Sequence, residues 1–412
     1  MSSLLDKANP AVLIVEATLR GHKATYIRWV AQEMLARGWS VTLCVPESAL
    51  SHPGFDQQFR PLLDQIRVLT VPASWKDGEM HARTRYLGVM LAQWHHWRLF
   101  RRMHRAATAA QRSDLVFVPF LDYCLVMLGL LGSPFGSARW TGILIQPDVL
   151  LKDDNPRRGW RSHVRAWKSS SRRAALSLPT ALPLFTIDPR PFNAQVTGGP
   201  PLIGLNDPVV APATGAKDLR HELGIPENEY VVLLYGAMHL RKGVRELIES
   251  AVQYEGIHVL CAGEQAELTR QVLRGDAASK LHAARRLHVM DWFVSEEEQE
   301  RLYASADLVW LVYLGHRAMS GVLMQAAMRG IPVLSQADGV MGEITLRHGL
   351  GFVANHRDPE DIAHQLQRVR EANWDRTALR QRAEQAFRAH TPKAFAQCIV
   401  DSMESALASR PI

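Results

Sequence analysis

The sequence predicts an α/β protein built from two Rossmann-like halves, each a parallel sheet flanked by helices. Three observations carry that prediction. Short apolar, β-branched runs alternate with helical patterns along the chain, the pattern of parallel strands joined by crossover helices. The alternation restarts after residues 201–218, PLIGLNDPVVAPATGAKD, a Pro-, Gly- and Ala-rich stretch of the kind that links domains. A chain of 412 residues with 47% apolar and 22% charged content exceeds what one core usually holds.

In the first half the candidate strands are AVLIVEA, VTLCVP, IRVLTVP, DLVFVPF, TGILIQP and ALPLFTI. A crossover helix follows the first of them. Ile27, Val30, Ala31 and Met34 recur at helical spacing, and Gly38 supplies the stop. The second half repeats the pattern with EYVVLLYG, HVLCAG, RLHVMDW, DLVWLVY, IPVLSQA and LGFVAN. Its helix starts are marked: Ser295 to Glu298 reads as a capping box, and Asp358-Pro359 and Thr391-Pro392 place N-caps before a first-turn proline. The expected division is 1–205, 206–390, and a helix in 391–412 that packs back on the first domain.

Composition narrows the function classes. The first residues, MSSLLDKANP, do not read as a signal peptide, and no stretch reaches the roughly 18 to 20 apolar residues of a membrane span. The expectation is a cytoplasmic protein, at most peripheral at the inner face of a membrane. Cys44, Cys124, Cys261 and Cys398 are far apart and in apolar contexts, without the paired spacing of a zinc or redox site, so buried thiols are expected. The net charge of +7 is uneven: residues 1–200 carry 25 Lys+Arg against 14 Asp+Glu, and the remainder 23 against 27. Such polarity suits an anionic partner, while a solvated basic face explains it equally.

The candidate site lies in loops after strands of the second half. Gly236-Ala237-Met238-His239-Leu240-Arg241-Lys242-Gly243 offers two glycines and two adjacent cations to a diphosphate. After DLVWLVY, Ser320 can cap a helix starting at Gly321, whose free N–H groups and dipole favour phosphate, with Gln325 about one turn on. Asp338-Gly339-Val340-Met341-Gly342-Glu343 follows the next strand. In open α/β sheets ligands gather at such carboxyl edges.

With these loops in view, residues 229–372 resemble the C-terminal domain of the family 4 retaining glycosyltransferases. These have the two-Rossmann fold called GT-B, whose sheets face a central cleft. The family's pattern is a strand ending in Gly-Arg, then Lys-Gly, an acidic pair spaced by seven residues, and a Gly-Gly-x-x-Glu turn. Lys242-Gly243, the run LMQAAMRGIPVL and the turn ending at Glu343 match it in order and spacing. The resemblance implies that Gly236, Arg241, Lys242, Arg317, Ser320, Gly321, Gln325 and Glu343 bind the donor, with Lys242 on its phosphate. The first half is similar more loosely, through the loop Leu19-Arg20-Gly21-His22-Lys23, which places Gly21 and Lys23 against the acceptor. Two departures stand out. Ala237 replaces the family arginine, and the acidic pair falls on Arg317 and Gln325. Gln325 can still bond a ribose, but Arg317 suits an acidic sugar or an extra phosphate.

His22, in a loop after the first strand, is a candidate to orient acceptor or sugar. Asp122, beyond DLVFVPF, is a candidate base for the acceptor hydroxyl or an N-cap for the next helix, and Asp188 has the same ambiguity. Residues 83–105 mix Arg85, Arg98, Arg101, Arg102 and Arg105 with Trp94, Trp97 and Phe100, and 157–173 repeat the theme. Basic helices with interfacial aromatics can lie on anionic lipid, and no nucleic-acid module is present. The expected function is metal-independent transfer of a sugar from a nucleoside-diphosphate sugar to a hydroxyl or lipid-linked acceptor in surface glycan synthesis, without further cofactor. The rivals are a GT-B-fold epimerase, a non-catalytic GT-B homologue that partners another transferase, and a glycan- or lipid-binding module.

Overall fold

The computed structural model describes residues 9–19, 23–72, 87–145, 170–187, 199–213, 215–316 and 318–409. They form two compact units, divided between Asn206 and Asp207 and again between Thr391 and Pro392.

The first unit holds a sheet of seven parallel strands: β1 (Ala11–Val15), β2 (Ser40–Pro46), β3 (Arg67–Val71), β4 (Leu115–Val118), β5 (Trp140–Leu144), β6 (Leu184–Thr186) and β7 (Leu202–Gly204). Their spatial order is β3-β2-β1-β4-β5-β6-β7. The chain winds outward from β1 in one direction and from β4 in the other, so the crevice between β1 and β4 is where the winding reverses. β7 lies in the stretch that the sequence assigns to a linker. It is three residues long and half-exposed at the edge, too short for a periodicity signal. The helix Lys23–Ala36 buries Ile27, Val30, Ala31 and Met34 on the sheet, as their spacing predicts, and Gly38 ends it at φ 78°. The final helix, Pro392–Ala408, packs on that first helix and buries Phe395, Ile399, Val400 and Met403 in the same core.

The second unit has six parallel strands: β8 (Tyr230–Tyr235), β9 (Ile257–Ala262), β10 (Leu287–Met290), β11 (Leu308–Leu311), β12 (Val333–Gln336) and β13 (Gly351–Ala354). They lie in the order β10-β9-β8-β11-β12-β13, so the winding reverses between β8 and β11. β8, β9, β11 and β12 are almost wholly buried, which is why β8 and β11 read as unbroken apolar runs, while β9 carries His258 and β12 ends in Ser335 and Gln336. The Ser295 and Glu298 capping box forms, and Asp358 accepts hydrogen bonds from the N–H groups of Glu360 and Asp361.

Cys44, Cys124 and Cys261 are buried free thiols, whereas Cys398 is only half-buried because it sits at the rim of the last helix. Among the described residues no helix is long and apolar enough to cross a membrane. None of their His, Cys, Asp and Glu side chains cluster in threes that could hold a metal ion.

Candidate functional site

In the second unit the loop after β8 is built by close backbone approach. Gly236 has φ 95° and Gly263, after β9, has φ 134°; a Cβ at Gly263 would stand 2.4 Å from the Gly236 carbonyl oxygen. Only glycine fits such a contact. The two loops are then stitched together: Met238 N–H donates to Glu264 O (2.8 Å) and Ala266 N–H to Met238 O (2.9 Å).

Leu240–Lys242 form a 3-10 turn, and Gly243 at φ 71° leads into the helix Val244–Ala251. A Cβ at Gly243 would stand 2.2 Å from the Val312 carbonyl oxygen. The buried Trp310 indole N–H donates to Lys242 O (3.1 Å), and Leu314 N–H donates to Arg241 O (2.7 Å). The cationic loop is thus clamped onto the segment that leaves β11.

Lys242 is half-buried. Its Nζ donates to the Tyr235 carbonyl oxygen and lies 5.3 Å from the centre of the Tyr313 ring. An ammonium held by one carbonyl and one aromatic face keeps donors for an anion. Arg241 is exposed, with Nη1 2.5 Å from His316 Nδ1, while His316 Nε2 is 3.3 Å from Met319 O. This network assigns the His316 proton to Nε2, since the guanidinium can only donate.

Gln336, fully buried at the end of β12, accepts from Tyr313 N–H (3.2 Å) and donates to His316 O (3.0 Å). Its amide fixes the loop that leads to Ser320. Gln336, Trp310, Tyr313 and His316 were not among the residues singled out from sequence. The one signal was a polar residue ending the otherwise apolar run IPVLS.

Ser320 does stand before the helix Gly321–Met328, with extended backbone, and Leu323 N–H donates to its carbonyl (3.0 Å). Its hydroxyl, however, makes no capping bond. The expected side-chain cap is therefore corrected: the backbone carbonyl starts the helix. Gln325 Oε1 accepts from the buried Tyr303 hydroxyl (3.0 Å). Tyr303 also lies under the Arg329 guanidinium (4.5 Å), which pairs with Glu300. Gln325 is thus partly committed to a tyrosine, and its NH2 group is what it has left for a ligand. Glu343 is exposed on the helix Gly339–Arg347 and pairs with Arg347 one turn on. Arg317 lies outside the described residues.

In the first unit Gly21, His22 and Asp188 also lie outside the described residues. Lys23 is 5% exposed, and its Nζ is 3.5 Å from Glu16 Oε1, 4.2 Å from the Tyr123 ring centre and 5.0 Å from that of Phe120. Asp122 Oδ2 accepts from Ile145 N–H (2.8 Å), tying the segment after β4 to the end of β5. The N-cap alternative for Asp122 does not hold, because the residue before the helix Leu125–Leu131 is Cys124. Glu16 is 0% exposed at the end of β1 and is not among the residues that the sequence points to. Its signal was the same as that used for Asp122, an acid at the carboxyl end of a strand.

A cavity of about 770 Å³ lies at the far edge of the first sheet, between the segments that lead into β6 and β7 and the last helix. It touches none of the predicted site residues. The chemistry instead gathers at the two points where strand winding reverses.

Residues 216–386 match the family model Glycosyl transferases group 1, and no curated protein matches the sequence. Among solved structures, the sucrose-phosphate synthase from Thermosynechococcus elongatus is similar at 15% identity and TM-score 0.68, covering 98% of this chain and 100% of its own. Anabaena HepE in complex with UDP and glucose is similar at 16% identity and TM-score 0.65, over 96% and 100% of the two chains. An α,α-trehalose-phosphate synthase (UDP-forming) from Burkholderia vietnamiensis is similar at 11% identity and TM-score 0.65, over 96% and 100%. At these identities the likeness shows the fold, which is GT-B: two Rossmann-like α/β units with parallel sheets.

Proposed function

We propose that the chain transfers a sugar from a nucleoside-diphosphate sugar to a hydroxyl acceptor, with retention at the anomeric carbon, in the synthesis of a surface glycan or polysaccharide. The observation that carries this reading is the Arg241-Lys242 turn, held at the reversal point between β8 and β11 inside the segment that matches Glycosyl transferases group 1. The UDP and glucose bound to HepE make a uridine nucleotide the first donor to try.

Chemically, a departing diphosphate gains negative charge as the glycosidic bond breaks. Lys242 Nζ, Arg241 and the N–H groups at the Gly321 helix start would stabilise that charge, and preorganised cations do so without reorganisation. The proposed transfer therefore relies on protein cations where other enzymes use a metal. Arg317 and Gln325 replace the acidic pair of the resembled family, which favours a donor whose sugar is acidic or carries an added phosphate.

The proposed acceptor is a glycan or its lipid carrier, and the proposed setting is the cytoplasmic side of a membrane. Helix Leu87–Ala110 exposes Arg98, Arg101, Arg102 and Arg105, a face that suits anionic lipid. Trp97 and Phe100 are buried in the core, so this face is basic rather than aromatic, with Trp94 half-exposed beneath Arg98.

The same replacement of the acidic pair supports a second reading, a GT-B homologue that binds nucleotide and does not catalyse transfer. Both are tested by a thermal-shift series with UDP, GDP and ADP and their glucose-linked forms, followed by product analysis with an added glycoside. A ligand at a hundred times its Kd adds about 2.7 kcal/mol of stability. A shift with turnover supports the transferase, a shift without turnover the binding homologue, and no shift sinks both.

A further inference from the structure

Arg241 and Lys242 are adjacent, yet only Lys242 is aimed by burial. Its Nζ is held by the Tyr235 carbonyl and the Tyr313 ring, whereas Arg241 is exposed. An exposed arginine samples many rotamers, and that freedom must be given up when it grips an anion. Ala237 stands where the resembled family has its arginine, so Arg241 is the guanidinium that the loop from Gly236 to Gly243 presents.

The segment after β11 holds Arg241 by backbone and by side chain. Leu314 N–H donates to its carbonyl (2.7 Å), and His316 Nδ1 lies 2.5 Å from its Nη1. His316 is itself fixed. Its carbonyl accepts from Nε2 of the fully buried Gln336 (3.0 Å), its own Nε2 lies 3.3 Å from Met319 O, and its ring meets Tyr313 edge-on with centres 5.6 Å apart. With Nε2–H turned toward a carbonyl, Nδ1 is an acceptor, and a guanidinium can only donate. That bond occupies one guanidinium N–H and leaves the others for an anion. The chemistry of the acceptor matters as well. A carboxylate in this place would pair with Arg241 and compete with a diphosphate, whereas a neutral imidazole orients the guanidinium without cancelling its charge.

We propose that His316 is a positioning residue for the donor: its Nδ1 holds the Arg241 guanidinium in the orientation that grips the diphosphate. The arrangement lies wholly within the second unit. It rests on the reading of the Arg241-Lys242 turn as the donor-phosphate site.

A double-mutant cycle on the full chain tests it. Arg241→Ala, His316→Ala and the pair would be titrated by calorimetry with UDP, GDP, ADP and inorganic pyrophosphate, alongside His316→Asn, whose Oδ1 can replace Nδ1 as acceptor. Both positions are at least partly exposed, so the variants should fold. If His316 acts through Arg241, each alanine change weakens binding about tenfold, and the pair weakens it no further than Arg241→Ala alone. His316→Asn then stays within about twofold of wild type. A merely structural histidine gives another pattern: its loss weakens binding by the same factor whether or not Arg241 is present, and asparagine does not restore it. Either result overturns the proposal, as does an Arg241→Ala or His316→Ala variant that binds like wild type. If wild type takes up pyrophosphate but no nucleoside diphosphate, the glycosyl-transfer reading falls and the cycle is decided on pyrophosphate. If it binds neither, both fall.

Discussion

At the residue scale, two ionisable groups, Lys242 and His288, are held differently. Among the described residues Lys242 Nζ has a single hydrogen-bond acceptor, the Tyr235 carbonyl, and an aromatic face beside it. Charge-assisted hydrogen bonds are worth about 1.5–3 kcal/mol, so Lys242→Ala should weaken nucleoside-diphosphate binding by that much, measured by calorimetry. Unchanged affinity would remove Lys242 from the site.

His288 titrates for a different reason. It lies 3.0 Å from His258, whose far nitrogen bonds Glu229, and burial, then the His258 and His282 charges, push its pKa down to about 4. A base whose pKa falls on folding is neutral in the native state where the unfolded chain binds a proton. Stability is then lost as pH falls below about 6.5 and the loss levels off near 4. Half-burial discounts the effect to roughly 1 kcal/mol between pH 7 and 5. Urea titrations at the two pH values should show it, and His288→Gln should flatten the difference. An equal pH slope in the variant would place the titration elsewhere.

Elements differ in how much of themselves the sequence declares. Buried strands such as β8 and β11 are apolar runs, and the Ser295 and Asp358 caps use side chains at fixed offsets, so both are legible without knowledge of the fold. β7 is not legible, because a three-residue edge strand owes its existence to its neighbour β6. Nor are the commitments of Gln325 to Tyr303 or of Gln336 to Tyr313 and His316, which join residues that only the folded sheet brings together. Glu16 is hidden for a related cause: its burial is set by what surrounds it in the folded sheet and not by any motif.

The clamp on the Arg241-Lys242 turn is itself testable at this scale. Gly243→Ala puts a Cβ into a left-handed residue and 2.2 Å from the Val312 carbonyl. We expect about 2 kcal/mol or more of destabilisation from strain and clash, read from the urea midpoint, together with weakened nucleotide binding because the turn must move. Loss of the second without the first would mean that the turn shifts at no cost to the core. Ser295→Ala, by contrast, should cost about 1 kcal/mol through the lost cap and leave nucleotide affinity alone.

At the scale of the whole molecule, each unit has its own parallel sheet and its own buried side chains on both sheet faces. The proposed donor-site residues that the structure describes, from Gly236 to Glu343, all fall in the second unit. A ligand that binds only there stabilises, by mass action, the conformations in which that unit is intact. Openings of the first unit that leave the second folded should therefore be unaffected. Hydrogen exchange tests this directly. With the nucleoside diphosphate that shifts the melting temperature, amides of β8, β11 and the Leu240–Lys242 turn should slow markedly. Those of β2 and β3, at the outer edge of the first sheet, should exchange as before. Slowing of β2 and β3 by nucleotide alone would show that the two units open as one, and the donor site could not then be treated as a property of the second unit.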